Sequence, residues 1–106
     1  MFTHYILNKS NYPIQCDDNE EWSKWMQENN RIVNHDFVGD ILISTVFLGV
    51  DHSWGGGPPE LFETMTFAKD ESPWDHTVIG RYTFWDEAVD GHEKAVREIS
   101  SYVGRQ

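Results

Sequence analysis

One cysteine, eight basic side chains and no long apolar run are the scarcities that bound this sequence most tightly. Cys16 has no second cysteine to pair with, so no intramolecular disulfide can form and no cysteine-based metal site can be built. That composition suits a reducing compartment. Eight Lys and Arg stand against 18 Asp and Glu, giving a formal net charge of -10, and the basic residues nowhere cluster. Nucleic-acid binding needs a basic footprint, so direct binding to DNA or RNA is not expected. The acids are dispersed in short blocks, which fits a solubility role better than mimicry of nucleic acid. No apolar stretch approaches the length of a membrane span, and Met1 to Leu7 lacks the basic region and long apolar run of a secretory signal. The expected location is the cytoplasm. A chain of 106 residues has room for a single domain, 1–106.

Rings are plentiful instead: five Trp, four Tyr and six Phe supply material for one core and for a binding surface. Short strands are expected at 2–7, 31–37, 41–50, 61–67 and 76–82, with turn material at 8–13 and a polar loop at 68–75. The run Ile41 to Val50 is apolar on both alternating faces, the pattern of a strand covered on two sides. Asp18 followed by Glu21 resembles a capping box. Trp22, Trp25 and Met26 follow at helical spacing, and Asn29–Asn30 is a natural end. Thr83 and Asp86 suggest a second cap, opening a long helix over 84–103. Its apolar stripe runs through Trp85, Ala88, Val89, His92, Ala95, Val96, Ile99 and Val103, with Asp90/Lys94 and Glu93/Arg97 as candidate pairs on the wet side. The expected fold is α+β in the order β-α-β-β-β-β-α, a small antiparallel sheet of four or five strands under a long C-terminal helix. The second face of the sheet calls for its own cover, from the first helix or from a second subunit in a homodimer.

Three places break the local pattern, and such places often carry function. Glu63 falls on the alternation of Leu61, Met65 and Phe67, so a carboxylate points inward, where Arg81 could pair with it or a cavity could receive it. A structural Glu–Arg pair is the plainer reading. His92 sits within the apolar helix stripe after Gly91, and a mid-helix glycine implies that something packs close against the backbone. A hydrogen-bonded core histidine is the plainer reading here. Asp51-His52-Ser53-Trp54-Gly55-Gly56-Gly57-Pro58-Pro59 cannot be regular structure, and it is either a crossover loop or a ligand-binding one. Asp51, His52, Glu63, Arg81 and His92 are expected to converge on one cavity, with Trp54 or Trp85 as a wall, because such groups are cheaper to bury together than apart.

The glycines form neither a phosphate loop nor a dinucleotide fingerprint, and the five His residues, His4, His35, His52, His76 and His92, show no metal-ligand spacing. No cofactor and no metal are expected. Ser53 and Cys16 lack the context of a nucleophile elbow.

Two blocks carry a resemblance. Ser44-Thr45-Val46-Phe47-Leu48-Gly49-Val50-Asp51-His52 is followed by Gly55-Gly56-Gly57-Pro58-Pro59 and Leu61-Phe62-Glu63-Thr64-Met65; Arg81-Tyr82-Thr83-Phe84-Trp85-Asp86-Glu87-Ala88 is followed by Gly91-His92. Together they resemble a family of small bacteriophage and bacterial proteins without an established activity, from which the chain departs at Phe84. The resemblance implies a phage or bacterial origin, hence a host-cell cytoplasm, and little chemistry. Three functions stay open. One is a binding module that sequesters a host small molecule, nucleotide-like and stacked on Trp54 or Trp85, or a host defence protein. Another is a small hydrolase or transferase in which His52 or His92 works with Glu63 or Asp51. The third is a structural accessory protein with no ligand.

Overall fold

A computed structural model describes residues 3–69 and 76–104 of the chain. Most of the loop expected at 68–75 lies outside the described residues. Tyr5–Leu7 (β1) pairs antiparallel with Pro13–Gln15 (β2). The second strand was not anticipated, because residues 8–13 read only as a turn. That turn is tight enough to return the chain on itself. The Asn8 Oδ1 accepts from the Ser10 and Tyr12 amides. Asn11 adopts a positive φ of 60°, which asparagine tolerates better than most residues.

Asp18 caps the first helix, Asn19–Glu28 (α1), by accepting from the Glu20 and Glu21 amides. Its aromatic face docks at the end of the sheet. The Trp22 indole N–H donates to the Gly49 carbonyl at 3.0 Å, and Trp25 meets the Phe47 ring edge-on at 5.7 Å.

The main sheet is antiparallel, with Ile32–Val38 (β3), Ile41–Phe47 (β4), Phe62–Ala68 (β5) and Thr77–Tyr82 (β6) in that spatial order. Gly39, at φ 59°, makes the tight β3–β4 turn possible. Trp85–Val103 forms the second helix (α2), which packs across all four strands. It starts one residue later than the Thr83 cap implied: Phe84 is the cap position, and the Glu87 carboxylate accepts from the Phe84 amide at 3.0 Å. The expected pairs Asp90/Lys94 and Glu93/Arg97 do not form. Lys94 turns instead to Glu98 at 4.0 Å, an exposed contact worth little. Among the described residues no helix is long and apolar enough to cross a membrane.

Period-two alternation assigns the faces of the sheet. Ile43, Thr45 and Phe47 of β4 pair across to Thr66, Thr64 and Phe62 of β5, and all point toward α2. Phe47, Phe62, Leu61 and Ala88 are fully buried there and join Leu7, with Tyr82 and Trp85 packed at the margin. Leu42, Val46, Glu63, Met65 and Phe67 point the other way. The first helix, one of the two covers expected for that second face, does not reach across it. It packs against β1 and the Phe47–Gly49 end of β4.

Candidate functional site

The five polar residues expected in one cavity are divided among three places. Glu63 lies in register with Val46 and Arg81, on the face turned away from α2. Its carboxylate is buried and accepts from the Arg81 Nε at 2.9 Å, so its charge is answered locally. His92 projects from α2 onto the opposite face. Asp51 and His52 belong to the 48–61 connection at the end of the sheet. The physical reason is the alternation itself. Leu61 is indeed buried, but the inward set continues as Phe62 and Thr64, because the chain leaves the loop and enters the strand between them. A shift of one residue exchanges the faces of a strand. Trp85 is no cavity wall either: it packs edge-on against Phe62 at 6.1 Å, at the margin of the core. Trp54 is 85% exposed and walls nothing.

The polar groups that the fold does unite are mostly ones the sequence left unmarked. His92 is buried between Thr45 and Asp36: its Nδ1 is 2.7 Å from the Thr45 hydroxyl and its Nε2 is 2.7 Å from the Asp36 carboxylate. Thr45 lies 2.6 Å from the Thr64 hydroxyl, to which the Tyr82 phenol donates at 3.1 Å. A carboxylate only accepts, so the Nε2 must carry a proton. With the ring neutral, Nδ1 then accepts from Thr45, Thr45 accepts from Thr64, and Thr64 accepts from Tyr82. In that neutral form Asp36 sets the direction of the series, which runs through the layer between sheet and helix. Among the described residues no buried side-chain nitrogen or oxygen lacks a partner, as a buried polar network requires.

Carboxylate, imidazole and hydroxyl stand here in the order used by hydrolytic triads. The hydroxyl cannot act as one does. Thr45 and Thr64 are both 0% exposed, and each oxygen is already engaged on both sides. The Asp36 end opens outward, into a cleft of about 270 Å³ between β3 and α2, and the Tyr82 end borders a second cleft beside Gly80 and Gly91. The arrangement is a core polar network, the plainer of the two readings of His92.

Gly91 has the close neighbour its place in the helix implied. A Cβ there would overlap the Tyr82 ring, and one at Gly80 would meet the same phenol from the strand side. The two glycines make the slot through which Tyr82 reaches Thr64. Gly91 was a visible clue. Thr45, Thr64 and Asp36 were hidden, since a polar residue in a strand ordinarily marks its wet side.

The loop after β4 is built at its base and open at its tip. The Asp51 carboxylate accepts from the Ser53 amide at 2.8 Å and from the Glu60 amide at 2.9 Å, tying the start of the loop to its end. The His52 amide donates to the Glu60 carbonyl at 3.0 Å. Burial alone would raise the Asp51 carboxyl, but the two backbone amides, the Ser53 hydroxyl and His52 together hold it below its usual value. The His52 Nδ1 is 2.8 Å from the Val50 carbonyl, which can only accept. Nδ1 therefore carries a proton in either charge state, and in the neutral ring Nε2 is an acceptor. Beyond this clasp, Gly55, Gly56 and Gly57 have φ of 79°, 89° and 96°, a left-handed run that side chains resist, and nothing stands within 4 Å of where their Cβ atoms would lie. Trp54 stands beside them in solvent. At the same end of the sheet Tyr12 and Phe84, both exposed, meet at a tilt with ring centroids 5.6 Å apart.

Cys16 is buried. Burial pushes its thiol up, as do the nearby carboxylates Glu21, Asp18 and Asp17, against a hydrogen bond to the Asp18 carbonyl that lowers it. A thiol so placed is a poor nucleophile. Among the described residues no three of His, Cys, Asp and Glu converge as metal ligands. Compared with family models, with curated proteins and with solved structures, the chain matches none of them.

Proposed function

We propose that this protein is a binding module for a protein partner, and that the loop carrying Trp54 is its principal contact. The observation that carries the reading is a large indole held 85% exposed on a loop whose base is clasped by Asp51. Leaving a tryptophan in water is unfavourable by about 2–3 kcal/mol relative to burying it, and exposed Trp side chains on ordered loops act as anchors that enter a partner's pocket. Tyr12 and Phe84 widen the apolar surface at the same end of the molecule. The clasp limits the ordering cost of association.

A nucleotide-like ligand fits this geometry less well. Stacking on Trp54 or Trp85 would need a cavity beside an accessible ring, whereas Trp54 projects and Trp85 is packed against Phe62. Acid–base chemistry by His52 or His92 with Glu63 or Asp51 has still less support, because His92 is sealed, Glu63 is occupied by Arg81, and the Asp51 carboxylate is engaged by the Ser53 and Glu60 amides. The resemblance to phage and bacterial proteins accords with a partner drawn from the bacterial cell.

The test compares the wild type with Trp54→Ala in affinity capture from bacterial extract, followed by titration calorimetry with the purified partner. Trp54→Ala is expected to leave thermal stability unchanged and to weaken binding at least tenfold, about 1.4 kcal/mol. A partner bound equally well by Trp54→Ala and by Tyr12→Ala would sink the reading.

A further inference from the structure

Both faces of the main sheet mix apolar and polar side chains, and the one under α2 holds the buried Ile43, Phe47 and Phe62. The face under α2 carries the polar series Asp36, His92, Thr45 and Thr64. The opposite face carries Phe37, Leu42, Met65, Phe67 and Val78, in register across the four strands, and among the described residues no helix or strand lies over it. An antiparallel sheet with one wet side ordinarily puts its polar residues there. Here Phe37 is 76% exposed and Val78 is 40% exposed.

Charge selects the occupant. The chain carries 18 acidic residues and a net charge of -10. Two copies would repel across most of their surfaces. On this face the strands contribute one carboxylate, Glu63, and Arg81 neutralises it in place at 2.9 Å. His35, also on this face, is bonded to the Ser44 hydroxyl at 2.7 Å. The sheet therefore offers an apolar, internally neutral plane on an otherwise acidic molecule. A basic partner finds no free charge on it, while a second copy presents the same apolar, locally neutralised surface. Sheets pack face to face at about 10 Å with their strands nearly aligned.

We infer that the chain forms a twofold homodimer through this face of the sheet, with Phe37, Leu42, Met65 and Phe67 as the buried centre. This is a separate surface from the Trp54 loop. Four strands about 4.8 Å apart and some six residues long make a patch roughly 15 Å by 20 Å. With side-chain relief, two copies bury on the order of 1,000 Å², the lower bound for a specific interface. An interface of that size makes the dimer a reversible one.

Sedimentation equilibrium of the full chain over a range reaching about 200 micromolar tests it. The wild type is expected to approach twice its 12.4 kDa mass. Phe37→Asp is expected to stay monomeric, and because Phe37 is exposed in the single chain, its thermal unfolding should be unchanged at concentrations where both are monomers. Tyr102→Asp, at an exposed position on α2, should dimerise like the wild type. A wild type that stays monomeric throughout, or a Phe37→Asp variant that dimerises as tightly, overturns the inference. Dimerisation lost in Trp54→Ala but kept in Phe37→Asp would also overturn it, and would identify the loop as the self-contact.

Discussion

Tyr82 shows how much one side chain can require of its neighbours. To reach Thr64 its ring must pass between β6 and α2, and Gly80 and Gly91 are the two positions where a methyl group would block it. In most helices replacing a central glycine by alanine gains about 1 kcal/mol. Here Gly91→Ala is expected to lose about 2 kcal/mol through overpacking, and urea denaturation measures it. The sign should reverse when Tyr82→Ala has emptied the slot; a stabilising Gly91→Ala in the wild-type background would refute the packing argument. The hydroxyl series gives a graded expectation. Thr45→Val strands two partners at once, the His92 Nδ1 and the Thr64 hydroxyl, and should cost about 2–3 kcal/mol. Thr64→Val also removes two bonds, but Tyr82 lines a surface cleft where water can serve its phenol, so the cost should be nearer 1 kcal/mol. Equal losses in the two variants would argue against a directed series.

The loop between β4 and β5 is the element on which the proposed function rests, and its order depends on one carboxylate. Asp51 is held below its usual value by amides it accepts from in the folded chain. Its stabilising contribution is therefore complete above the ordinary carboxylate range, at about pH 4, and is lost as pH falls through the depressed value. Hydrogen exchange at the Ser53 and Glu60 amides should accelerate through that acid window, beyond the intrinsic dependence, while the β4–β5 ladder stays protected. In Asp51→Ala the acceleration should be present at neutral pH. Acid-insensitive protection in the wild type would show that the loop is held by something other than this clasp. The loop's glycines act in the complementary sense, leaving the tip able to adjust around a partner while the base stays fixed.

Over the whole molecule, acidic residues outnumber basic ones by 18 to 8. Ten net negative charges weaken the compact state through self-repulsion, and salt screens exposed charges over about 8 Å at physiological ionic strength. Raising sodium chloride from about 20 to about 500 millimolar is expected to raise the melting temperature by several degrees and, in the same series, to strengthen self-association. Salt that lowers stability would mean that ion pairs outweigh the repulsion. The described ion pairs are few and mostly exposed, with Glu63–Arg81 the best shielded.

Much of this architecture is local, and the sequence determined it alone. The Asp18 cap, the stripe of α2, the turn at Gly39 and the strand-dense middle each depend on residues a few positions apart, where spacing and chemistry act directly. The short strand Pro13–Gln15 escaped because three residues carry too little pattern to be seen. The expected site failed for a different reason. Glu63, His92 and the loop of Asp51 and His52 each broke a local rule, yet which face a strand turns inward depends on register, and one residue separates Glu63 from Thr64. Once Thr64 faced α2, His92 was committed to Thr45 and Asp36, and Glu63 to Arg81 on the far side. Hydrogen bonds between residues 47 and 56 positions apart, as His92 makes with Thr45 and Asp36, are a property of the assembled sheet and helix, and only tertiary packing could decide them.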